Sequence, residues 1–190
     1  MKPAANGAAG FLIALLVWLG LSAPYARLLA GVSEAAIHAG EWPSATVLTV
    51  QGTLIAVDRI DFPPAPGRLA IESTDLTFNV ILLVTLFAAT RRPLSNRNLF
   101  GLLGASCLLL FVHVFAVVSF VKAHYALNFG SWSEANYGVI ARSFWGAAPY
   151  FYSVAGVYGF AFALWWLFRP PPMTSPPAAV PRAVRRRQRG

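Results

Sequence analysis

The chain has 190 residues, 57% of them hydrophobic and only 12% charged, and its apolar runs are too long for the core of a water-soluble domain. A formal charge of +8 does not point to a nucleic-acid partner, because the basic residues are sorted into particular turns and one tail and are not spread over a folded domain. The single cysteine, Cys107, lies inside an apolar run, which excludes a disulfide framework and a cysteine pair for metal or redox chemistry.

In chain order, Lys2 precedes an apolar stretch from Ala8 to Tyr25 that is long enough to span a bilayer. The signal-peptide alternative meets a poor cleavage site, since Leu21-Ser22-Ala23 runs directly into Pro24, so the segment is read as a retained signal-anchor. Arg27 to Gly40, with Glu34 and His38, reads as a helix lying on the outer interface. From Thr46 the periodicity becomes strand-like, over Val47–Val50, Thr53–Asp58 and Leu69–Ile71. Gly52 and the cluster Pro63-Pro64-Ala65-Pro66-Gly67 punctuate these pieces, giving a small sheet outside the membrane.

The stretch LAIESTDLTFNVILLVTLFAATRR, Leu69 to Arg92, carries the most information. A strand-like piece ends in Ser73-Thr74-Asp75 and an apolar helix begins there. Thr74 or Ser73 can serve as N-cap, with Asp75 in the first turn where its charge suits the helix dipole. Two further apolar runs, Leu99–Val121 and Pro149–Phe168, can each span. Between them, residues 122–148 hold Tyr125, Phe129, Trp132, Tyr137, Phe144 and Trp145, the composition of an interfacial aromatic belt. After Arg169 the chain turns to proline and ends in Arg182, Arg185, Arg186, Arg187 and Arg189, a tail expected to be disordered and drawn to anionic lipids.

The predicted fold is therefore membrane α-helical: four transmembrane helices with a small extracytoplasmic β segment between the first and second. The parts are an N-terminal transmembrane helix at 1–25, an extracytoplasmic segment at 26–73, a three-helix membrane core at 74–168 and the Arg/Pro-rich tail at 169–190. With the N-terminus cytoplasmic, ten of the fifteen basic residues fall inside and all seven acidic residues outside, which gives an N-in, C-in protein of the inner membrane.

Among polar residues in the spans, His113 has two readings. It can carry protons, bind metal or act as a base, or it can be a neutral imidazole bonded between helices, and the second is favoured because no acid shares its helix. Cys107, six residues earlier, faces away from it. Asn79 is expected to pair with a neighbouring helix. Neither a metal nor a cofactor site is expected.

The order of parts from about Val47 to Phe168 resembles the exosortase/archaeosortase membrane transpeptidases. In that family an outer G…L.V segment leads to an acidic residue and a catalytic cysteine at the top of a helix, as Gly52…Leu69-Ala70-Ile71-Glu72-Ser73-Thr74 does in layout. The basic turn Arg91-Arg92-Pro93…Arg97 follows, and His113-Val114-Phe115-Ala116 occupies the place of the family's N-x-x-R element. The cysteine position holds Thr74, the arginine position Ala116, and the approach to the last helix offers Arg142, Phe144 and Trp145 where the family has histidine. The resemblance, closest to exosortase H-associated membrane proteins, thus implies a non-catalytic accessory protein partnered with an exosortase-type enzyme that processes C-terminal sorting tails. Two alternatives stand beside it. One is a hydrolase or transpeptidase using Thr74 or Ser73 as nucleophile, with His113, His124 or Asp75 as base. The other is a small transporter subunit.

Overall fold

The first helix runs much further than its apolar stretch. In the computed structural model, which describes residues 3–61, 69–90 and 92–169, helix α1 (Pro3–His38) is continuous for 36 residues and passes through Pro24. Pro24 withdraws one backbone donor, but the helix is long enough to tolerate that loss. At 1.5 Å per residue α1 rises about 54 Å, well beyond a ~30 Å hydrocarbon core. The separate interfacial helix expected over Arg27–Gly40 is thus the last three turns of α1, standing clear of its apolar part.

Those turns carry the sheet. Strands β1 (Thr46–Gln51), β2 (Leu54–Arg59) and β3 (Leu69–Glu72) form an antiparallel sheet in the order β1-β2-β3, as the alternation of the sequence predicts. Gly52 and Thr53 make a two-residue turn between β1 and β2, and Gly52 has φ +65°. A positive φ at the first central position alone fits a type II′ hairpin, which needs glycine there. Leu48, Ile55, Val57 and Ile71 point from the sheet into a core with Leu29 and Ile37 of α1. A sheet this small is not stable alone and borrows its hydrophobic floor from the helices.

After β3 the chain enters α2 (Ser73–Thr77) and α3 (Asn79–Ala88), which are separated at Phe78. Helix α3 returns antiparallel along α1 until Ala88 and Ala89 meet Gly10 and Gly7. Next come α4 (Asn96–Asn128), α5 (Ser131–Asn136), α6 (Val139–Phe151), a π-helical turn over Tyr152–Gly156, and α7 (Val157–Phe168). The Ser95 hydroxyl caps α4 by accepting from the Asn98 N–H at 3.4 Å. The Asn98 amide ties the preceding turn to α3 by donating to the carbonyls of Phe87 at 3.1 Å and Pro93 at 2.9 Å.

Three helices, Ala4–His38, Asn96–Asn128 and Val139–Phe168, are long and apolar enough to cross a membrane, while Ser73–Ala88 is apolar but shorter. Of the four expected crossings, three reach the required length. The fourth falls short because the break at Phe78 and the end at Ala88 confine regular helix to part of the Leu76–Thr90 run. Residues 122–148, expected as a belt-like loop, are mostly helical. They comprise the end of α4, all of α5 and the start of α6, which begins ten residues before Pro149. The Arg-rich tail, the Pro63–Gly67 cluster, Lys2 and Arg91 lie outside the described residues.

Close helix packing rests on small residues. A Cβ built on Gly101 of α4 would lie 2.6 Å from the Phe168 carbonyl oxygen and 3.2 Å from the Phe87 ring. Glycine here lets α3, α4 and α7 meet at the end of the bundle away from the sheet. Gly101→Val should therefore lower stability by about 1–3 kcal/mol, measured as thermal unfolding in nanodiscs. Gly159→Val, whose added Cβ would have open space, should change it little.

Candidate functional site

Two places gather polar groups that chemistry would need: the entrance to α2 and a cluster in the helical core. At the first, Ser73 is buried, and its hydroxyl donates to the Thr53 carbonyl at 2.6 Å, beside a backbone bond from Ser73 N–H to the same oxygen at 3.0 Å. The Thr74 hydroxyl donates to Glu72 Oε1 at 2.8 Å. The N-cap residue of α2 is Glu72, with no side-chain cap bond, which corrects the expectation that Ser73 or Thr74 caps the helix. Both are held inside the first turn by other acceptors. Asp75 lies in that first turn, as predicted, and is exposed there.

The Thr74–Glu72 pair is the nearest approach to an activated hydroxyl. A general base must hold the abstracted proton, and the Glu72 carboxylate is poorly suited to that. Hydrogen bonding from the Thr53 side chain, and then from Thr74, keeps it below the ordinary carboxylate range.

No histidine takes the role of base at this entrance. His113 is fully buried and both ring nitrogens are engaged: Nε2 with Asn79 Oδ1 at 2.8 Å and Nδ1 with Tyr25 Oη at 2.7 Å. Because Oδ1 can only accept, Nε2 carries the proton and Nδ1 accepts from the Tyr25 phenol, which makes the ring a neutral link across α1, α3 and α4. The interhelical roles expected for His113 and Asn79 are both found. His124 Nδ1 accepts from Asn128 Nδ2 at 3.0 Å on its own helix. Cys107 is exposed while His113 is buried, so the two face apart as their spacing predicts.

A fourth member joins this cluster from the π-helical turn. Buried Tyr152 lies beside Asn79 and donates its phenol to the Leu76 carbonyl at 2.6 Å. Leu76 is just ahead of the break at Phe78, where the helical ladder is interrupted, so Tyr152 serves a carbonyl at a discontinuity in apolar surroundings. Tyr25 and Tyr152 were not marked by the sequence as partners. The available signal was weak: two tyrosines within long apolar runs whose hydroxyls need an acceptor.

Under the sheet lies a third polar group, built on the end of α1. The Glu34 carboxylate accepts from the Leu48 N–H at 2.7 Å, and His38 Nε2 donates to the Thr46 carbonyl at 2.6 Å. Glu41 accepts from the Thr46 N–H at 3.2 Å and from its hydroxyl at 3.1 Å. These side chains seal the outer edge of β1 in place of another strand. Arg59 of β2 then bridges Glu41 at 2.8 Å and Asp61 at 2.6 Å, with its guanidinium carbon 4.9 Å from the Tyr125 ring centroid and 4.8 Å from that of Trp132. Charge and aromatic faces here fasten the sheet to the top of α4. Among the described residues no group of three or more His, Cys, Asp or Glu side chains is placed to hold a metal ion.

The chain matches no family model, no curated protein and no solved structure.

Proposed function

We propose that this is a non-catalytic accessory membrane protein that assists an exosortase-type transpeptidase in processing C-terminal sorting tails. The observation that carries the reading is the state of the two hydroxyls where the resemblance puts a nucleophile. Ser73 donates to a backbone carbonyl and Thr74 to a weakly basic carboxylate, and no imidazole nitrogen is available to either from His113. A serine or threonine without a base is a weak nucleophile. The hydroxyl-enzyme alternative loses support for the same reason. A transporter subunit is also disfavoured, because the core cluster of Tyr25, His113, Asn79 and Tyr152 contains no Asp, Glu, Lys or Arg and forms no charged path.

In this proposal the protein lies in the bacterial inner membrane with both termini cytoplasmic. Ser73–Ala88 makes a short fourth crossing that carries the chain from the sheet side to the Arg92 turn. The sorting of acidic and basic residues supports that orientation. The Arg-rich tail is proposed to bind anionic lipids of the inner leaflet, on its composition alone.

The test is a processing assay in cells that carry the partner enzyme, with insertion of each variant checked in parallel. Ser73→Ala and Thr74→Ala should insert and support sorting-tail processing, whereas loss of the partner's own nucleophile should abolish it. Abolition by Thr74→Ala in a normally inserted protein would overturn the proposal.

A further inference from the structure

The two edges of the sheet are treated differently. In the antiparallel ladder, Ser73 N–H bonds to the Thr53 carbonyl, so the alternation makes Ile55 with Ile71 and Val57 with Leu69 the hydrogen-bonded pairs of β2 and β3. Ala70 and Glu72 then direct their backbone N–H groups away from β2. By the same alternation β1 turns the backbone of Thr46 and Leu48 outward, and there Glu34, His38 and Glu41 receive them. For β3 the described residues supply no such seal: none of them forms a hydrogen bond with the outward N–H of Ala70 or Glu72, and Ala70 is exposed. An unpaired edge is a template for another strand unless the fold covers it.

We propose that the free edge of β3 binds an extended basic peptide segment by strand addition. Main-chain bonds to Ala70 and Glu72 supply the attachment, as in other edge-binding domains. Charge selects the occupant. The edge ends at the Glu72 carboxylate, followed by exposed Asp75 in the next turn. A lysine or arginine at the end of an added strand meets these carboxylates, whereas an acidic segment is repelled. This goes beyond the accessory reading and does not depend on the identity of the partner enzyme.

The test uses the full chain in phosphatidylcholine nanodiscs, so that a basic peptide finds no anionic lipid. The probe is a fluorescein-labelled Lys-Thr-Val-Thr-Val-Lys peptide, followed by anisotropy. Saturable binding is expected, with about tenfold or greater loss when both lysines become glutamate or when alternate peptide nitrogens are methylated. Ala70→Pro should cause a similar loss while leaving the sheet intact, because the N–H it removes faces away from β2. Absence of saturable binding, or equal binding by the methylated peptide, would overturn the proposal. If Ala70→Pro folds normally and binds as well as the wild type, the edge is not the site. A wild-type dimer dissolved by Ala70→Pro, without peptide binding, would assign the edge to a second copy and equally overturn it.

Discussion

Arg59→Leu should release the sheet from the helices, with β1 and β2 amides exchanging roughly a hundredfold faster while the helical core stays protected. Both Arg59 and Glu41 have side chains only 8% exposed. Removing the cation leaves the Glu41 carboxylate almost dry, with the Thr46 N–H and hydroxyl but no opposite charge bonded to it, and breaking a buried pair on one side costs on the order of 3 kcal/mol. The guanidinium also stacks on Tyr125 and Trp132, a contact that leucine does not replace. The pair variant Glu41→Leu/Arg59→Leu should recover part of the loss, since the stranded charge is gone. The same network gives a pH dependence. Arg59, chiefly by hydrogen bonding, holds Asp61 below the ordinary carboxylate range. A depressed carboxylate contributes stability that is present above its unfolded pKa of about 4 and is lost as pH falls through the lower folded value. Sheet protection from this pair should thus be flat near neutrality and weaken only below about pH 4.

His113→Leu is the second large effect. It strands the Asn79 side-chain oxygen at a fully buried position and takes the acceptor away from the half-buried Tyr25 phenol. An unpaired buried polar group costs about 1–3 kcal/mol. At about 2–4 °C per kcal/mol for a chain of this size, the midpoint of thermal unfolding in nanodiscs should fall by roughly 2–12 °C. Asn79→Leu in the same background should add less than it does alone, because the two side chains share one bond. An unchanged midpoint for His113→Leu would show that the link across α1, α3 and α4 is dispensable.

Where backbone chemistry is local, the sequence was readable. The three strands follow from period-two alternation, and their first turn from Gly52, whose φ of +65° only glycine adopts cheaply. Helix ends were not readable from hydropathy. The apolar stretches stop near Tyr25 and Val121 and begin near Pro149, but the helices continue to His38, to Asn128 and back to Val139. Beyond the apolar part their residues serve the sheet: Glu34 and His38 stand one turn apart to meet β1, and Tyr125 lies under Arg59. Polarity there marks contact with another element, which local pattern does not distinguish from contact with water or lipid head groups.

The entrance to α2 shows the same limit. Ser73 and Thr74 have the chemistry of cap residues, but Glu72 and the Thr53 carbonyl, one adjacent and one across the sheet, take both hydroxyls. His113 and Asn79 could be marked as interhelical from their place in apolar runs. Their link to Tyr25, 88 residues from His113, depends on tertiary contact alone.

The proposed absence of catalysis is tested most directly by intact-mass spectrometry. The purified full chain in nanodiscs is incubated with a sorting-tail peptide, and peptide mapping follows. The account predicts an unmodified mass and unmodified Ser73 and Thr74, whether or not partner enzyme processes the same peptide in a parallel reaction. An acyl adduct mapped to Thr74 or Ser73 in the purified protein alone would contradict it and make the hydroxyl the nucleophile.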